Sequence, residues 1–178
     1  MAKSLLILPL LAGIMFPQGQ GPSEFRDYKK WHLVTPKPVD MHPTIALSCI
    51  GPLKEDQPPN PHVPRVFRVF ANDKGDAAIK GKQKTFPVGS ILLKEKYERP
   101  KTEFGTPARL PENAKPELLT AMVKRKKGFA PEVGDWEFYV LSGDMKRVTN
   151  KDLEYCVSCH QTQKNQDFVF GGYANLNR

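Results

Sequence analysis

The apolar residues of this chain fall in short runs divided by turn-forming residues, a pattern of strands more than of long helices. Val63 to Ala71 is dominated by β-branched and aromatic side chains and ends in the turn signal Asn72-Asp73-Lys74-Gly75, which predicts a strand. Phe86-Pro87-Val88-Gly89 predicts a turn into a second strand, Ser90 to Glu95. Met122-Val123 and Trp136 to Leu141 read as further strands, the latter entered by Gly134-Asp135 and left by Ser142-Gly143-Asp144. Nearer the start, Phe25, Tyr28 and Trp31 stand three apart, as on one face of a short helix, and Thr44 to Ile50 offers another strand before the proline-rich stretch 52–64. The expected fold is mainly β with a few short helices (α+β), a single antiparallel-sheet domain. Two charged residues interrupt this pattern. Alternation puts Arg68 on one face with Val66 and Phe70, and Lys94 on one face with Leu92. Pattern alone leaves two roles open for Arg68, reaching into a site or laying its stem on the sheet with its head in water, and makes Lys94 an ordinary exposed strand-end lysine.

With 178 residues, 39% of them apolar, the chain can bury one core, and 17 prolines argue against a helical bundle. The net charge of +8 is scattered. Its densest run, Lys124-Arg125-Lys126-Lys127, is followed by Gly128 and accompanied by no nucleic-acid motif, so it reads as a solvated turn and no nucleic-acid partner is expected. Met1 to Phe16 has the form of an export signal, with Lys3 ahead of an apolar stretch that is short and interrupted by Pro9 and Gly13. That predicts a signal peptide over 1–20, a domain over 21–178, a periplasmic location and no stable membrane span.

An odd number of cysteines, three, cannot pair off completely within one exported chain. Cys49 stands apart and reads as a structural thiol, with a disulfide between subunits as the rival. Cys156-Val157-Ser158-Cys159-His160 has the haem-attachment spacing. On a helical turn the two sulfurs lie on one side, within reach of the two vinyl groups of one porphyrin, and the histidine follows beneath the iron. A thioredoxin-like pair would want a βαβ context, a structural zinc site a fourth ligand, and a plain Cys156–Cys159 disulfide would need no histidine. One covalent haem c with His160 as iron ligand is therefore expected. No methionine or histidine follows His160, so the sixth position of the iron is open unless His32, Met41, His42, His62, Met122 or Met145 folds back.

Taken in order, Phe86 to Glu95, Met122-Val123-Lys124-Arg125, Gly128-Phe129, Gly134 to Phe138, Cys156 to His160 and Asp167-Phe168-Val169-Phe170 resemble the cytochrome P-460 family. That family comprises exported mono-haem proteins, among them hydroxylamine-oxidising enzymes and the nitric-oxide-binding cytochromes c′-beta. The resemblance implies a mainly β homodimer with a C-terminal haem-attachment segment and a redox partner protein. It also implies a lysine joined covalently to the porphyrin edge, matched by Lys94, and a distal arginine, matched by Arg68. For the distal carboxylate that accepts protons in the active members, the chain offers Asp152 and Glu154, in no fixed register. The implied activity is hydroxylamine oxidation, with nitric oxide as a related ligand; the alternative is a non-enzymatic nitric-oxide-binding or electron-transfer cytochrome.

Overall fold

The computed structural model describes residues 22–40, 65–100, 109–146 and 153–171. The leader over 1–20, the strand expected at 44–50, the stretch 52–64, Cys49 and Asp152 lie outside the described residues.

Among the described residues six antiparallel strands form one sheet: β1 (His32–Leu33), β2 (Val39–Asp40), β3 (Arg65–Ala71), β4 (Ile91–Glu98), β5 (Leu118–Lys124) and β6 (Trp136–Ser142). The order is β1-β3-β4-β5-β6, with β2 also pairing β3. The four long strands follow the chain order as a meander, whose neighbouring connections are the simplest way to pair antiparallel strands. The mainly β antiparallel architecture expected from the sequence is the one found.

Register fixes which side chains share a face. Val69 is opposite Lys94 and Arg68 opposite Glu95, while Lys94 is opposite Thr120 and Leu92 opposite Met122. One face therefore carries Leu92, Lys94, Lys96, Thr120, Met122 and Phe138, and the other carries Arg68, Phe70, Leu93, Glu95, Tyr97, Leu119 and Leu141. The second face is covered by two 3₁₀ turns, Ser23–Phe25 and Tyr28–Lys30, which bury Phe25 and Tyr28 against Leu93, Leu119 and Leu141. The aromatic spacing there thus marks a buried face, built from 3₁₀ turns in place of one helix. The first face receives the C-terminal segment, whose Phe168 and Val169 pack with Leu92, Met122 and Trp136.

Asn72-Asp73-Lys74-Gly75 is not the turn its residues suggest. It opens helix α1 (Asp73–Lys80), and Asn72 is its N-cap, with Oδ1 accepting from the backbone N–H of Gly75 at 3.0 Å and of Ile91 at 3.0 Å. The acids Asp73 and Asp76 in the first turn and Lys80 in the last suit the helix dipole. The basic run also differs from its reading as a solvated turn. Lys124 closes β5 with its ammonium 2.6 Å from Asp167, and Arg125 is bound to Glu24, Glu137 and Tyr139, so only Lys126 and Lys127 stand in water. Among the described residues no helix is long and apolar enough to cross a membrane.

Candidate functional site

Helix α2 (Glu154–Gln161) carries Cys156, Cys159 and His160, as the helical reading of their spacing requires. Cys156 and His160 are four apart and share the side turned to the sheet, where both line a cavity of about 40 Å³. The sheet contributes Leu92, Lys94, Thr120, Met122 and Phe138, and the segment after α2 contributes Val169 and Phe170.

The imidazole of His160 is held on three sides. Its Nδ1 donates to the carbonyl of Phe168 at 2.6 Å, and the rings of Phe138 and Phe170 lie 4.9 and 5.2 Å away. With Nδ1 so engaged, Nε2 is the nitrogen left for a metal. Burial pushes the His160 pKa down to about 4, and the charges of Lys94 and Lys96 push the same way against the Phe168 hydrogen bond. The ring is therefore neutral near pH 7, the form that ligates iron. Burial raises the thiol of Cys156 and partly deprives it of its anion, with Lys96 opposing.

Lys94 looks into the same cavity, its Nζ 5.2 Å from the centre of the Phe67 ring. Loss of hydration lowers its pKa to about 8, which leaves an appreciable share of nucleophilic amine near neutral pH. Lys96, two residues on and fully buried, points to the same side. Sequence reasoning passed it over, although the alternation that singled out Lys94 also places Lys96. Met122 is the one described member of the six upstream candidates that lines the cavity; Met145 packs on the opposite core and His32 pairs with Asp73 and Asp76.

The other expected site residues are not brought here. Arg68 lies on the opposite face beside Glu95, its guanidinium 5.8 Å from the Tyr97 ring and its buried Nε without a hydrogen bond among the described residues. An even step along β3 separates it from Val66 and Phe70, as the alternation said, but Lys94 is opposite Val69, so the two predicted site residues have opposite parity. Glu154 is exposed at the start of α2, and Asp152 lies outside the described residues. Among the described residues no carboxylate lines the cavity.

Chemically the donor set fits a haem: a neutral, oriented imidazole, a cysteine on the same helical side and an apolar wall. Cys156 is a free thiol while Cys159 is disulfide-bonded, so the two are not joined to each other, and a thioether at Cys159 requires that disulfide to open first. The family model for Cytochrome P460 matches residues 25–171, which takes in every described strand, both described α-helices and all the cavity-lining residues. No match is found among curated proteins.

Proposed function

The chain belongs to the cytochrome P460 family and is a haem-binding cytochrome, and from that premise we propose that it is an exported, homodimeric mono-haem protein that oxidises hydroxylamine. The observation that carries this reading is the meeting of Lys94 in one cavity with Cys156 and His160, which lie 62 and 66 residues further along the chain.

In this reading Cys156, and Cys159 once a thiol reductant has opened its disulfide, would hold the haem through thioethers. His160 would hold the iron through Nε2, with the Phe168 carbonyl fixing its tautomer. When bound, the haem supplies the iron that takes electrons from hydroxylamine and passes them to a redox partner protein. Lys94, whose dry surroundings favour the neutral amine, would stand beside the porphyrin edge as a nucleophile that could link to it. The Leu92, Met122 and Phe138 wall keeps water from the reacting side.

The test is anaerobic turnover of hydroxylamine with an artificial electron acceptor, on the parent and on Lys94→Leu side by side. Retained haem with lost turnover in Lys94→Leu supports the reading; equal activity in the two, or none in a fully loaded parent, overturns it.

Two observations favour a second reading, a nitric-oxide-binding or electron-transfer cytochrome. Met122 offers a thioether sulfur in the cavity, and no described carboxylate is there to take a proton from substrate. A methionine–iron charge-transfer band in the oxidised parent that disappears in Met122→Leu would establish it.

A further inference from the structure

We propose that Asp167, locked in place by Lys124, is the positioning residue for His160: through the carbonyl of Phe168 it sets the rotation of the imidazole and its donor strength toward iron. The proposal rests on His160 being the iron's proximal ligand.

Asp167 and Phe168 have φ of 51° and 62°, two successive non-glycine residues in the left-handed region. L side chains avoid that region, and a pair in succession persists only where the surroundings over-determine it. Here they do. The Asp167 carboxylate, itself buried, accepts from Lys124 Nζ at 2.6 and 2.7 Å and from the Phe86 backbone N–H at 2.8 Å. Its backbone carbonyl accepts from Trp136 Nε1 at 2.8 Å, and the N–H of Phe168 donates to Gln163 at 2.9 Å. The ring of Phe168 then lies so close to Gly134 that a Cβ on that glycine would stand 2.7 Å from it. The output of this latch is one atom, the Phe168 oxygen, 2.6 Å from His160 Nδ1.

The latch also joins segments that the haem motif alone does not explain. Phe86 comes from the turn before β4, Lys124 from the end of β5, Gly134 and Trp136 from the entry to β6, and Asp167-Phe168 from the C-terminal segment. None of Phe86, Lys124, Trp136 or Asp167 lines the cavity, so their influence on the iron is indirect. A backbone carbonyl held against the ring N–H of a ligating histidine makes the other nitrogen a better donor, and a better donor favours ferric iron. Loosening the turn lengthens that hydrogen bond and weakens the donation.

The experiment uses the haem-loaded protein: parent, Asp167→Ala, Lys124→Met, Lys124→Arg and Trp136→Phe. The iron–histidine stretching band of the ferrous form is read by resonance Raman and the reduction potential by equilibrium titration. Asp167→Ala and Lys124→Met are expected to move the band to lower frequency and the potential upward with haem content unchanged, while Lys124→Arg restores both toward the parent. If Asp167→Ala does not fold, Trp136→Phe, which removes one hydrogen bond and keeps most of the ring, is expected to give a smaller shift in the same directions. Variants that lose thermal stability but keep the parent's band and potential reduce the latch to a structural brace and overturn the proposal. A five-coordinate ferrous parent with no iron–histidine band overturns the ligand assignment of His160 instead, which is a separate result.

Discussion

The two faces of β4 treat charge in opposite ways. Toward the N-terminal turns, Glu95 is fully buried and its carboxylate accepts from Tyr28 at 2.8 Å and from Tyr97, and is paired with Lys29. Burial, and then the neighbouring carboxylate, drives both tyrosines well above the usual phenol range, so they remain donors at any ordinary pH. Toward α2, burial and then the charges of Lys94 and Lys96 depress the pKa of an imidazole, and Lys94 lines a cavity. Adjacent residues of one strand thus serve a packed polar brace on one side and a chemical site on the other. Parity along the strand decides the role, and parity is what assigns Arg68 to the brace.

Breaking the brace should have the largest effect. Glu95→Ala leaves two buried hydroxyls and Lys29 without their acceptor and is expected to cost roughly 3–5 kcal/mol. The denaturation midpoint in urea should fall accordingly, while the folded fraction keeps the parent's haem spectrum. On the other face, Lys94→Leu replaces a poorly hydrated amine with an apolar group, so stability should change by less than about 1.5 kcal/mol. The Soret band should nevertheless lose the red shift and broadening that a lysine link produces. Arg68→Met sharpens the comparison further. It removes a guanidinium from the brace face and is expected to shift stability by about 1 kcal/mol and leave the KM for hydroxylamine as it was; a raised KM would return Arg68 to the site. Smallest of all, the joint change Lys126→Ala and Lys127→Ala is expected to stay within about 0.5 kcal/mol, because both side chains stand in water.

Much of this was legible in the sequence, for reasons that vary by element. The strands around Phe67, Leu92 and Phe138 announced themselves through β-branched and aromatic runs bounded by turns, and the Cys156–His160 spacing carried its own helical geometry. Helix α1 was misread because Asn72, Asp73 and Gly75 are turn residues and N-cap residues alike; Asp76 and Lys80 were the unused signal. The burial of Lys124 and Arg125 could not be read locally, since their partners Asp167 and Glu24 lie 43 and 101 residues away. The parity of Arg68 relative to Lys94 was likewise hidden, because each strand's alternation is visible alone but the register between them is a property of the paired sheet. Lys96 was legible and missed.

The central claim is that one haem is shared by α2 and the inward face of β4. Proteolysis of the purified, haem-loaded protein followed by mass mapping of every haem-bearing peptide tests it most directly. The account predicts one haem carrying both the Cys156–His160 peptide and a peptide in which Lys94 is modified. A haem that leaves in acid-acetone with no peptide attached, or one joined to a residue of the Arg68 face, would contradict it.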